Sequence, residues 1–104
     1  MAKIKVVYVA VNSLPAKIEI ENELKEFQRL VEGHIETIIL SPDLCLVCNE
    51  EGRINGMRIN VYIHEINQFI FGPYLLVGIS GDSFASIPKK LPDIKVSQMI
   101  ARIQ

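Results

Sequence analysis

The feature that most limits what this chain can become is a pair of apolar segments, residues 35–40 and 44–48. They are separated by Ser41-Pro42-Asp43 and closed by Asn49-Glu50-Glu51-Gly52. Each segment is short, rich in β-branched and aliphatic residues, and bounded by turn formers, which is the pattern of a strand rather than of a helix. Proline presets φ for a tight turn and aspartate bonds back to nearby backbone, so the pair reads as a β-hairpin. With residues 41–44 as its loop, Leu40 pairs with Cys45, Ile38 with Val47 and Glu36 with Asn49. One face then carries Glu36, Ile38, Leu40, Cys45, Val47 and Asn49; the other carries Ile35, Thr37, Ile39, Leu46 and Cys48. Both faces are mostly apolar, which places the hairpin in the middle of a sheet with cover on each side.

Around it, residues 3–11 have almost no polar side chain after Lys5, as in a strand covered on both faces. Residues 17–21 alternate charged and apolar, as in a strand with one face in water. Asn22 is a suitable N-cap for a helix over 23–32, whose stripe is Leu24, Phe27, Leu30 and Val31 and whose stop is Gly33 in a left-handed conformation. Gly52 is expected to take positive φ in its turn. Residues 55–68 show no clear period, residues 75–79 read as a buried strand and 84–87 as a short return strand. Ile94, Met99, Ile100 and Ile103 lie close to helical spacing, which predicts a C-terminal helix from about Asp93. The sum is one α+β domain over residues 1–104: a mostly antiparallel sheet of about five strands with two short helices.

Composition removes several function classes. With 49% hydrophobic and 22% charged residues the chain can fill one core, and its 104 residues leave no room for a second. A formal net charge of -1 gives no basic surface to displace counterions, so no nucleic-acid partner is expected. Gly72-Pro73 interrupts the longest apolar stretch well short of a membrane span, so no membrane partner is expected either. Two cysteines make no disulfide framework, which points to a reducing cytoplasm.

Cys45 and Cys48 have the spacing of a metal knuckle, but residues three apart in a strand point to opposite faces and cannot share an ion. His34 and His64 add no second closely spaced pair, and no turn exposes Cys48 as a nucleophile beside His64-Glu65. No metal, cofactor or catalytic residue is therefore expected. Glu36, Asn49, Glu50, Glu51 and Asn60 are the polar set of interest. In the register above, Glu36 and Asn49 are cross-strand neighbours at the rim of an apolar face, where each must be exposed, paired or bound. A structural network would have Asn49 shape the turn and Arg53 or Arg58 balance Glu36; a functional one would make a small polar pocket.

The run Val31-Glu32-Gly33-His34-Ile35-Glu36, with Asn49-Glu50-Glu51-Gly52, Asn60, Gly72 and Phe84-Ala85-Ser86-Ile87, resembles a family of small proteins known only as a domain of unknown function. Its members are common in bacteriophages, plasmids and their bacterial hosts. The likeness spans roughly residues 3–90. Where the family pattern reads Val-Gly-Gly-x-Ile-Glu, the second of its small residues is replaced by Glu32, which argues against a flexible loop there. The resemblance implies a cytoplasmic accessory protein of a phage or mobile element and brings no activity with it. The expectation is a noncatalytic interaction module with a protein partner, contacted through Glu36, Asn49, Glu50, Glu51 and Asn60. The alternative is a nucleotide-like ligand site or small hydrolase using Glu36 and Glu51. A third class, a homo-oligomer, follows from the apolar second faces of the strands.

Overall fold

In the computed structural model, which describes residues 2–63 and 66–89, the elements run β1 (Lys3–Val9), β2 (Ala16–Glu21), α1 (Leu24–Val31), β3 (Ile35–Ser41), β4 (Leu44–Asn49), β5 (Ile59–Ile63), β6 (Gln68–Phe71), β7 (Tyr74–Ser80) and β8 (Ser83–Ala85). The main sheet has the order β2-β1-β7-β4-β3, with β8 added beside β7. Every pair in it is antiparallel. The hairpin of β5 and β6 packs against one face, where Val61, Ile63 and Ile70 meet Val7, Val9, Leu46, Cys48 and Leu76. Helix α1 covers the other face, its Phe27 and Val31 lying among Ile4, Val6, Cys45, Val47, Leu75 and Val77. Among the described residues the domain is therefore mostly β, a mostly antiparallel sheet with one helix, where an α+β arrangement was expected. The helix expected from Asp93 lies outside the described residues, as do His64 and Glu65.

The alternation of clusters along β1 bears out a strand covered on both faces, and β2 is an edge strand with Lys17 and Glu19 in water and Glu21 half-buried. The central hairpin needs two corrections. It is not centred in the sheet: β4 is buried at every position, whereas β3 forms the outer edge and is exposed or half-buried throughout. Its register also differs from the expected one. The strands run on into the expected loop, where Ser41 pairs with Leu44, and the ladder shifts between Ile39 and Ser41, so that Ile39 pairs with Cys45, Glu36 with Cys48 and Ile35 with Asn49. The cause lies in the turn. Pro42 fixes negative φ, and no residue of the loop has positive φ, so the turn is not one of the mirror-image types whose twist suits a two-residue hairpin. A bulge at Leu40 absorbs the mismatch, and a one-residue shift sends each upstream side chain to the other face relative to its partner strand. Glu36 and Asn49 consequently point to opposite sides of the sheet.

The helix begins one residue later than expected. Glu23 is its N-cap without a side-chain bond, while Asn22 Nδ2 donates 3.0 Å to Phe84 O. At the other end Glu32, not Gly33, takes the left-handed conformation, with φ 65° and its N–H bonded to Gln28 O. A residue with a Cβ pays about 1–2 kcal/mol there. Glu32→Gly is therefore expected to raise the melting temperature by about 2–6 °C after the extra freedom of glycine in the unfolded chain is subtracted. A thermal melt of the two proteins side by side checks it; a lower melting temperature would show that Glu32 makes a compensating contact.

Candidate functional site

The antiparallel order brings the ends of β1 and β4 and the start of β7 to one end of the sheet. The segments 10–15, 32–34, 50–58 and 72–73 therefore gather there. Four of the five residues singled out from the sequence lie at or near this end, but two of them hold the scaffold together. Asn49 is 6% exposed. Its Nδ2 donates 3.0 Å to Val31 O and its Oδ1 accepts 2.7 Å from Glu51 N, so it ties the end of α1 to the start of the following turn. Asn60 Nδ2 donates to both Val9 O and Gly72 O, each at 2.9 Å, and so fastens the β5–β6 hairpin to the main sheet. Glu50 and Glu51 are exposed. Glu36 is exposed on β3 and shares its face with Cys48, not with Asn49. Among the described residues it makes no hydrogen bond or ion pair, and the expected balance from Arg53 or Arg58 is not formed. Gly52 does not take positive φ; a Cβ there would lie 2.8 Å from Phe71 O, so it is close approach that requires glycine.

The loop that Asn49 initiates is ordered by its own backbone. Gly52 N bonds to Asn49 O, Asn55 N to Glu51 O, Gly56 N to Arg53 O and Met57 N to Gly52 O. At its outer side stands Ile54, 83% exposed; Leu14, 87% exposed, stands on the neighbouring segment between β1 and β2. Only β7 separates the strands that lead into these two loops, a spacing of about 10 Å at two strand intervals. Sequence reasoning passed over both. The available signal was an aliphatic side chain set within turn chemistry, between Gly52 and Gly56 or beside Pro15, with no periodic partner to bury it.

Cys45 and Cys48 belong to opposite core clusters, so their thiols face apart across the sheet. Burial pushes both upward; for Cys48 burial, then the Glu36 carboxylate, then Cys45 raise it to about 12. Two results follow. Neither thiol should react with iodoacetamide at pH 8 while the chain is folded, and both should do so in denaturant, which mass spectrometry would count. The contribution of the Cys48 thiol to stability should also be level up to pH 9 and fall between pH 9 and 12. In the unfolded chain Cys48 ionises near 9.0 and in the folded chain near 12, so above 9 the unfolded state sheds its proton first. Burial of the Tyr74 hydroxyl acts in the same direction. Labelling of folded protein would place a thiol at the surface.

The family model described as a domain of unknown function, DUF3846, matches residues 4–101. The chain belongs to this family. No curated protein and no solved structure matches it.

In this DUF3846 domain two hollows among those formed by described residues stand out. One, of about 750 Å³, is lined by Lys5, Val7, Lys17, Glu19, Ile87 and neighbours; the other, of about 190 Å³, by Thr37, Ile39, Cys45, Ile79, Phe84 and neighbours. Neither includes Glu36, Asn49, Glu50, Glu51 or Asn60. No described helix is long and apolar enough to cross a membrane.

Proposed function

We propose that this DUF3846 domain is a noncatalytic protein-interaction module, and that it meets its partner with the end of the sheet that carries segments 10–15 and 50–56. The observation that carries the reading is that the two most exposed large apolar side chains described, Leu14 and Ile54, lie on loops at the same end of the sheet. A loop held by its own hydrogen bonds loses little freedom on binding, and an aliphatic residue at its tip supplies apolar area that water covers in the free protein. Glu50 and Glu51 then form an acidic rim, which suits a partner whose apolar pocket is bordered by basic residues. Asn49 and Asn60 belong to the same site as its supports rather than its contacts. The free, buried thiols fit a reducing cytoplasm. The family resemblance favours a partner encoded by a phage, a mobile element or their bacterial host.

The test is a matched capture from the cytoplasm of the native host, using the wild-type chain and the double variant Leu14→Ser, Ile54→Ser. Both positions are exposed, so the variant should melt within about 2 °C of wild type. Loss of a specific partner in the variant alone is the expected result. The same proteins recovered by both would move the contact away from this end. Glu36 and Glu51 line neither of the two hollows named above.

A further inference from the structure

We propose that two copies of the chain associate edge to edge through β3, antiparallel about a two-fold axis at Thr37, joining their sheets into one. The backbone geometry fixes which groups have no strand beside them among the described residues. His34 O accepts from Glu50 N, so the polar groups of His34 face β4. Alternate residues of a strand face alternate sides, and those of Glu36 and Ile38 therefore face β4 too, while the N–H and C=O groups of Ile35, Thr37 and Ile39 point outward from the edge of the sheet.

The two edges of the sheet are defended differently. On β2 the ladder to β1 uses Ala16, Ile18 and Ile20, which leaves Lys17, Glu19 and Glu21 as the outward positions, every one of them charged. Charge at an open edge is the usual protection against strand addition. On β3 the corresponding positions are Ile35, Thr37 and Ile39, all uncharged, with no proline or lysine in the strand. Ile39 is 61% exposed there. The bulge at Leu40 ends the regular edge on one side.

A second copy is the occupant that this pattern selects. With the axis at Thr37, Ile35 of one copy lies opposite Ile39 of the other, Thr37 opposite Thr37, and Ile39 opposite Ile35. Each outward residue then bonds an outward residue, and no free group is left between them. Threonine pairs and aliphatic pairs are favourable cross-strand neighbours. Ile39 receives cover from the half-buried Ile35, a residue packed with the α1 cluster. Moving the axis by one residue sets Ile39 against Thr37 and carries Ile35 onto Ser41 beyond the bulge, which buries less apolar surface. The pairing about Thr37 has one cost: the two Glu36 carboxylates become diagonal neighbours in water. The two-fold closes the assembly, so the charged β2 edges remain at its outer limits.

Sedimentation equilibrium on the intact chain tests this directly. The wild-type mass should rise from 11.7 kDa towards twice that value as concentration increases, with a dissociation constant in the micromolar class expected of a small interface (about 1–100 µM). Ile39→Lys, at an exposed position, should weaken association at least tenfold. Thr37→Pro should do the same while retaining the strand's circular dichroism, since it removes an outward N–H and leaves the β4 ladder intact. Glu36→Gln should tighten it by removing the diagonal repulsion. A wild-type chain that stays monomeric at about 200 µM would overturn the proposal, as would an Ile39→Lys variant that associates like wild type. The measurement needs only this chain, so its outcome is independent of whether the Leu14 and Ile54 end binds another protein.

Discussion

Gly78→Ala should lower the melting temperature by about 10–20 °C, more than any other single methyl added to this chain. Gly78 lies within β7 where that strand is paired on both sides, with Leu44 and with Ala85. Immediately after Ala85 the chain crosses towards β1. A Cβ on Gly78 would stand 2.1 Å from Ser86 O, 2.9 Å from Ser86 C and 3.2 Å from Ala85 O. All three are backbone atoms and cannot rotate away. Nor can the crossing segment easily move, since Lys5 N donates 2.9 Å to Ser86 Oγ and Ile87 N donates 2.8 Å to Lys5 O. Those bonds fill the gap left where β7 parts from the first half of β1. Overpacking costs about 1–3 kcal/mol even where side chains can adjust, and here the backbone must shift and loosen its hydrogen bonds to β1. Gly81→Ala is the control. Its φ is +61° with nothing within 4 Å, so it carries backbone strain alone, about 1 kcal/mol. Equal losses in the two variants would mean that the crossing yields without resistance.

How far the fold could be read beforehand depended on whether the strand period ran unbroken. It did along β1, along β2 and across the buried stretch of β7, and these were legible. It did not in β5, where the register against β6 shifts between Ile59 and Val61 and hides the first strand of a hairpin inside residues 55–68. The order of strands was not legible at all. β7, some thirty residues further along, enters between β1 and β4, and Ile39 on the resulting edge is the same residue type as those of the core. The candidate site shows the same division. Asn49 and Asn60 stood out because an amide beside an apolar run must find partners. Those partners are main-chain carbonyls of Val31, Val9 and Gly72, and a carbonyl has no mark in sequence. Glu36 was misplaced for one local reason, the unprimed turn at Pro42 and its bulge.

The second large effect concerns Asn49, where structural support and ligand contact make opposite predictions. The last carbonyls of a helix lack intrahelical partners. Val31 is the final residue of α1, and the amide of Asn49 reaches its oxygen from a different strand, acting as a C-cap supplied at a distance. The room for this is made by Gly33, where a Cβ would stand 2.7 Å from Asn49 Nδ2. Through Oδ1 the same side chain holds the Glu51 N–H and so sets the geometry of the loop that bears Ile54. Each bond contributes about 1 kcal/mol, and each partner left dry and unpaired costs more. Asn49→Ala is therefore expected to lose about 2–3 kcal/mol, or about 10–20 °C in a thermal melt. Asn49→Asp should not rescue it, because a carboxylate keeps the acceptor for Glu51 but loses the donor and sets a buried charge against a carbonyl. Were Asn49 instead a contact residue of a pocket, its truncation would leave the fold unmoved and alter only binding. A melting temperature within 2 °C of wild type would thus remove the remote cap, and with it the reason for loop 50–56 to be preorganised.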